Sequence, residues 1–150
     1  MPTGNVTLYG AGKEGISKAT IDLDTDTFQV VLITSAHTPV VNTHATFADI
    51  SANQVAAGGG YSAGGTPLAS VTVTRSGGTV TFTAANTSWA SSTITAKYAM
   101  VLKRAGGSLV AGDLLLCYVD LDTTSGSSSV STTGGTFQIT WNASGIFTLS

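Results

Sequence analysis

The stretch Thr93-Ile-Thr-Ala-Lys-Tyr-Ala-Met-Val-Leu-Lys-Arg104, with Asp113-Leu-Leu-Leu-Cys-Tyr-Val-Asp-Leu-Asp122 and Thr136-Phe-Gln-Ile-Thr-Trp-Asn142 after it, decides the fold. Each segment is of strand length and rich in β-branched, aromatic and aliphatic residues, and Gly/Ser-rich turns separate them. In the first, strand periodicity puts Ile94, Ala96, Tyr98, Met100 and Leu102 on one face, with Lys97, Val101 and Lys103 opposite. The second is apolar on both faces from Asp113 to Leu121. In the third, Phe137, Ile139 and Trp141 alternate with Gln138, Thr140 and Asn142. Ala105-Gly-Gly-Ser108 reads as a turn, and residues 125–135 read as a flexible linker whose only hydrophobic residue is Val130. The chain is therefore all-β, and Tyr98, Met100, Phe137, Ile139 and Trp141 are expected to share one core.

Outward from this region the same pattern recurs. Phe28-Gln-Val-Val-Leu-Ile-Thr34 is apolar at nearly every position, as a strand covered on both faces is. Val71 and Val73 alternate with Thr72 and Thr74, Ser76-Gly-Gly78 turns the chain, and Val80 and Phe82 alternate with Thr79, Thr81 and Thr83, which makes a β-hairpin. Asn86 to Ser92, with Trp89, reads as a connection, and Gly145-Ile-Phe-Thr-Leu149 closes the chain. Residues 8–18 allow a short helix, but Gly10, Gly12 and Gly15 each cost about 1 kcal/mol relative to alanine and weigh against it. About eight strands with short turns predict one domain over residues 1–150, a two-sheet antiparallel sandwich of jelly-roll type. The strand pattern lapses between His37 and Gly65, in a Thr-Pro turn, a one-turn helix at Ser51-Ala-Asn-Gln54 with capping-box spacing, and a Gly-rich loop at 58–65.

Charge narrows the function. Only 9% of the 150 residues are charged and the net charge is -2, so polarity is carried by Ser and Thr hydroxyls. Low charge favours association, which suits a subunit of an assembly. The six basic residues, Lys13, Lys18, Arg75, Lys97, Lys103 and Arg104, are scattered and form no phosphate-binding cluster, so no nucleic-acid partner is expected. Leu114-Leu-Leu-Cys-Tyr-Val119 is too short to cross a bilayer, so no membrane partner is expected either. The amino terminus shows no Sec-type signal, which implies synthesis in the cytoplasm. The single Cys117 has no intrachain partner and is read as a buried small hydrophobe.

Motifs that would carry chemistry are incomplete. Asp22-Leu-Asp24-Thr-Asp26 imitates the opening of a calcium loop, but Thr27 stands at the position of the turn glycine and Ile33 at that of the bidentate Glu, which excludes an EF-hand. A weaker cation site combining these carboxylates with Asp120 and Asp122 competes with the plainer reading of solvated acids at strand ends. His37 and His44, near Asp49, are the residues that suggest a metal or acid–base role, yet their spacing fits no zinc signature, so loop histidines without a role are the better reading. Gly10-Ala-Gly-Lys13 lacks the P-loop spacing, and no Gly-x-Ser-x-Gly elbow supports a hydrolase. No catalytic residue, metal or cofactor is expected.

Long loops on a β scaffold are where partners are met. The excursion at 37–65 therefore supplies the candidate interface, His37, Thr38, Pro39, His44, Phe47 and Tyr61, joined by Trp89. Tyr61 and Trp89 are also the residues that would stack on sugars; Trp141, alternating with Phe137 and Ile139, reads as core.

Several segments together carry a resemblance: Leu8-Tyr9, Ile21 to Pro39, Gly60-Tyr-Ser-Ala-Gly-Gly65, Trp89, Thr93 to Tyr98, Phe137 to Asn142, and Gly145-Ile146. They resemble a family of small structural proteins of tailed-bacteriophage virions. The resemblance implies a β-sandwich or jelly-roll capsid decoration (cement) protein on the outer capsid surface, with the major capsid protein and neighbouring copies of itself as partners. It brings no catalytic residues. The chain departs from the family pattern at Leu8 to Lys18, where glycines interrupt a segment otherwise suited to a helix. A receptor-binding or tail-fibre module contacting cell-surface glycans is the alternative.

Overall fold

In the computed structural model, which describes residues 4–124 and 128–150, the chain is a set of antiparallel ladders. The first half contributes β1 (Val6–Leu8), helix α1 (Gly10–Ser17), β2 (Thr27–Ile33), β3 (Thr66–Pro67), β4 (Thr72–Ser76) and β5 (Thr79–Thr83). The second half contributes β6 (Thr87–Ser92), β7 (Thr95–Ala96), β8 (Tyr98–Arg104), β9 (Leu115–Asp120), β10 (Val130–Ser131), β11 (Gly135–Ile139) and β12 (Phe147–Leu149). A five-stranded sheet has the order β1-β9-β8-β2-β3, and three smaller ladders, β12-β5-β4, β11-β6 and β10-β7, complete the fold. These twelve strands take the place of the eight suggested by the sequence. The additional ones are β6, which the sequence reads as a connection, and pieces of two or three residues, too short to show a period.

Both faces of the five-stranded sheet are covered, which explains the unbroken apolar runs of β2, β8 and β9. Phe28, Val30 and Leu32 of β2, with Ala99 and Val101 of β8, face a large core that they share with Phe82, Trp89, Phe137, Ile139 and Trp141 from the smaller ladders. Val31, Ile33, Met100, Leu102 and Leu115 point the other way, into a small core closed by Tyr9 and Ile50. The single core expected for Tyr98, Met100, Phe137, Ile139 and Trp141 is thus two: the first two residues belong to the small cluster and the last three to the large one.

The cause is a break at Lys97. Its N–H donates to the Ile33 carbonyl at 2.8 Å and its carbonyl accepts from Leu121 at 2.9 Å, and on either side of it the chain pairs with different strands. Ile94 and Ala96 lie in the large core while Tyr98, Met100 and Leu102 lie on the opposite side of the sheet. Side chains alternate with period two, so a slip of one residue moves everything beyond it to the other face.

Helix α1 forms in spite of its glycines, and the reason is packing. A Cβ on Gly12 would stand 2.4 Å from the carbonyl oxygen of Leu116, and one on Gly15 would stand 2.7 Å from Ile21 Cδ1. Leu116 is the extra residue of a bulge where the β8–β9 register passes from Val101↔Cys117 to Leu102↔Leu115. Its carbonyl accepts the Tyr9 N–H at 3.0 Å, and the helix follows directly against the strand. Close approach outweighs the propensity cost.

Two further expectations change. Trp89 lies in β6, hydrogen-bonded to β11, not in a connection. The expected linker contains β10, whose Val130 and Ser131 pair with Ala96 and Thr95; its residues 125–127 lie outside the described residues. Cys117 sits as expected, buried on β9 between β1 and β8, where burial pushes its thiol well above the ordinary range. The native protein should therefore resist a thiol reagent for hours and react at once in denaturant. Rapid labelling of the folded chain would contradict this placement.

Candidate partner interface

The excursion after β2 is a cover stitched to the sheet at both ends. Thr34 N–H donates to the Asn53 carbonyl, and Val55 N–H returns to Leu32, each at 2.9 Å. Two single 3-10 turns, Phe47–Asp49 and Ser51–Asn53, bring Phe47 and Ile50 onto the small core. The capping box lies one turn earlier than the sequence suggests, with Thr46 and Asp49 as its members. The Asp49 carboxylate accepts the backbone N–H groups of Ala45 and Thr46 at 2.8 and 2.9 Å, which hold it below the usual carboxylate range. The one charge of the segment is thereby committed to the backbone.

A second loop joins the first. Phe47 N–H donates to the Asp113 carbonyl at 2.8 Å, Ala48 N–H to that of Ala111 at 3.0 Å, and Leu115 N–H to that of Ala45 at 2.9 Å, so residues 45–48 run beside 111–115 as a continuous strip. Asp113 is buried, and its carboxylate accepts the Ala105 and Val110 N–H groups at 3.0 and 2.8 Å, fixing the 105–112 loop. Among the described residues the two large hydrophobic side chains that remain exposed are Val110, at 56%, directly before this pairing, and Val40, at 43%, in the turn at 40–44 that leads into it.

Of the residues expected to meet a partner, three are inside. Tyr61 is buried, its hydroxyl accepting the Leu32 N–H at 3.1 Å and bonded to Gln54 Nε2 at 2.9 Å. Trp89 is buried against Tyr61 and Phe137, with ring centroids 5.9 and 6.0 Å away. Neither ring is presented to a sugar or a partner surface. His37 is buried as well, while Thr38 is exposed and Pro39, His44 and Phe47 are half-buried. The sequence reading missed Val110; its signal was Leu109-Val110-Ala111, an apolar triplet in a turn that no strand period absorbs.

His37 and His44 do meet, with ring centroids 5.2 Å apart. His44 Nδ1 accepts the Val40 N–H at 3.3 Å. Burial lowers the basicity of His37, opposed by a hydrogen bond with the Asn53 side chain and aided by His44. The unfolded chain therefore binds more protons than the folded one below about pH 6.5, and stability falls as pH drops through that value. Thermal melts should show a fall in Tm between about pH 7.5 and pH 5.5 that His37→Gln diminishes; equal falls in the two proteins would refute the assignment.

The acidic motifs are structural. Asp22 Oδ1 accepts the Asp24 and Thr25 N–H groups at 3.0 and 3.3 Å, and Asp26 pairs with Lys103 at 2.8 Å. Asp120 and Asp122 face Lys97 instead, at 2.9 and 3.9 Å, so the weaker cation site drawn from both groups does not assemble. Among the described residues no group of three or more His, Cys, Asp or Glu side chains gathers. Among the same residues no helix is long and apolar enough to cross a membrane. Comparison of the chain with protein-family profiles, with curated proteins and with solved structures finds no match.

Proposed function

We propose that this chain is a non-enzymatic structural subunit of a tailed-phage virion, a decoration protein that docks on the outer capsid lattice through the strip formed by residues 34–48 and 105–116. The observation that carries the reading is the lack of charge there. Between Phe28 and Thr74 the only Asp, Glu, Lys or Arg is Asp49, whose carboxylate caps the backbone, between Ala105 and Leu116 the only one is Asp113, which is buried with its carboxylate on backbone N–H groups, and the exposed Val40 and Val110 belong to these two segments. An uncharged surface with two exposed aliphatic residues on a firmly bonded scaffold suits docking to a repetitive neighbour. The resemblance of the sequence segments to small virion proteins supports the same reading. The major capsid protein is the proposed partner, and copies of this chain would cluster around lattice symmetry axes.

Binding to the assembled shell but not to its dissociated subunits stabilises the shell by RT ln(1 + [L]/Kd) at each site. Many identical sites then make a modest affinity sufficient. The test adds purified protein to undecorated capsids of the cognate phage at low and high ionic strength and counts bound copies. Binding should change little with salt, because few charges take part. It should fall at least about tenfold for the Val40→Asp/Val110→Asp double variant, since a desolvated unpaired charge costs more than about 1.4 kcal/mol. Complete release by moderate salt, or full binding by that variant, would overturn the proposal.

A further inference from the structure

A cleft of about 590 Å³ lies at the end of the five-stranded sheet, where β8 begins and β9 ends. The register pairs Tyr98 with Asp120, and Thr7 with Tyr118 and then Met100, so Thr7, Tyr118, Tyr98 and Asp120 lie on one face, away from the large core. Asn5 and Pro39 complete the walls. The Tyr98 and Tyr118 rings meet edge to face at 6.0 Å, and Tyr118 is braced from behind by Tyr9 at 5.4 Å. Both aromatic surfaces are therefore held in place before any ligand arrives, which lowers the entropic cost of binding.

The polar groups of the cleft differ from those of the other tyrosines. Tyr9 hydrogen-bonds Met100 Sδ and Tyr61 has two partners, whereas the hydroxyls of Tyr98 and Tyr118 have no protein partner among the described residues. Both of these side chains are half-buried on the cleft wall. Beside them the Asp120 side chain is 40% exposed; its Oδ1 accepts the Asp122 N–H at 2.9 Å and its Oδ2 pairs with Lys97, and each carboxylate oxygen has a second lone pair that can accept. A hydroxyl on a cleft wall with no protein partner can both donate to and accept from a ligand.

Charge selects the class of ligand. Lys97 is buried, with its ammonium 2.9 Å from Asp120 and 5.7 Å from the centre of the Tyr98 ring. The protein's own cation thus lies over one face of that ring and already faces both carboxylates, so it would repel a second one. An anionic ligand would meet the carboxylates of Asp120 and Asp122. What remains is an uncharged, hydroxyl-rich molecule with a flat apolar face. We propose that this cleft binds a neutral oligosaccharide: a sugar ring packs on Tyr98 and Tyr118, and adjacent hydroxyls donate to Asp120 and exchange hydrogen bonds with the tyrosine hydroxyls and Asn5. The site shares only Pro39 with the docking strip and does not depend on the capsid reading.

The experiment applies fluorescently labelled full-length protein to an array of uncharged, sialylated and sulfated oligosaccharides, then titrates the 15N-labelled protein with the retained sugar. Retention on at least one uncharged sugar is expected, with amide shifts concentrated at Asn5, Thr7, Tyr98, Tyr118 and Asp120. Tyr98→Ala and Asp120→Asn should each weaken binding about tenfold or more. Because Tyr98→Ala also trims the small core, Tyr98→Phe and Tyr118→Phe serve as variants that keep the rings; each should weaken binding several-fold with the near-UV circular dichroism unchanged. No retention on any uncharged sugar, retention on charged sugars alone, or affinity unchanged in all four variants would overturn the proposal.

Discussion

Replacing Gly65 by alanine is expected to lower the folding free energy by about 3 kcal/mol or more, the sum of a left-handed backbone penalty and an overpacked contact. Gly65 has φ +71°, and a Cβ built on it would stand 1.9 Å from the carbonyl oxygen of Val30. That carbonyl cannot retreat, because Val30 lies mid-strand, paired with Val101 on one side and Thr66 on the other. Gly64 provides the internal control. It has φ +87° but nothing within 4 Å of its Cβ position, so Gly64→Ala should carry only the backbone penalty, about 1–2 kcal/mol. Urea midpoints of the two variants measure the difference, and equal midpoints would show that the loop does not lie against β2 as described.

The second large effect is expected at Phe82. This fully buried ring on β5 meets Phe28 of the five-stranded sheet edge to face at 5.4 Å and stacks on Phe147 of β12 at 5.0 Å. It therefore joins the five-stranded sheet to the β12-β5-β4 ladder through the large core. Phe82→Ala should cost about 3–5 kcal/mol, because the transfer term is lost and two separate ladders cannot both collapse into the void. A loss below about 0.5 kcal/mol, the range of ordinary surface changes, would mean that the ladder does not pack on that sheet.

The proposed docking strip and the proposed sugar cleft share only Pro39, and variants away from it separate them. Val110→Asp leaves Tyr98 and Asp120 in place, and Tyr98→Phe leaves the strip intact. A chain that binds sugar but not capsids would keep the cleft and lose the decoration reading, and the converse holds equally.

The amino-acid order determined the elements whose signal is local. The alternation of Val71 to Phe82 around Ser76-Gly-Gly78 is the β4–β5 hairpin, and the unbroken apolar runs of Phe28 to Ile33 and Leu114 to Leu121 are strands covered on both faces. Burial of Cys117 follows from the same runs. The incomplete calcium and P-loop spacings were equally legible, because each motif requires particular residues at fixed offsets.

Tertiary structure decided the rest, wherever a residue answers to a distant neighbour. Gly12 is a poor helix former by propensity, and it sits in a helix because Leu116 leaves no room for a Cβ. Tyr61 and Trp89 read as exposed loop aromatics, and they are core because β6 pairs with β11 and the Gly-rich loop folds back on β2. The slip at Lys97, which sends Ile94 and Met100 to opposite sides of one sheet, leaves no mark in a periodic pattern, since both halves alternate correctly by themselves. The cleft of Tyr98, Tyr118 and Asp120 exists because β8 and β9 set those residues side by side, and strand pairing is a long-range contact that no local window of sequence contains.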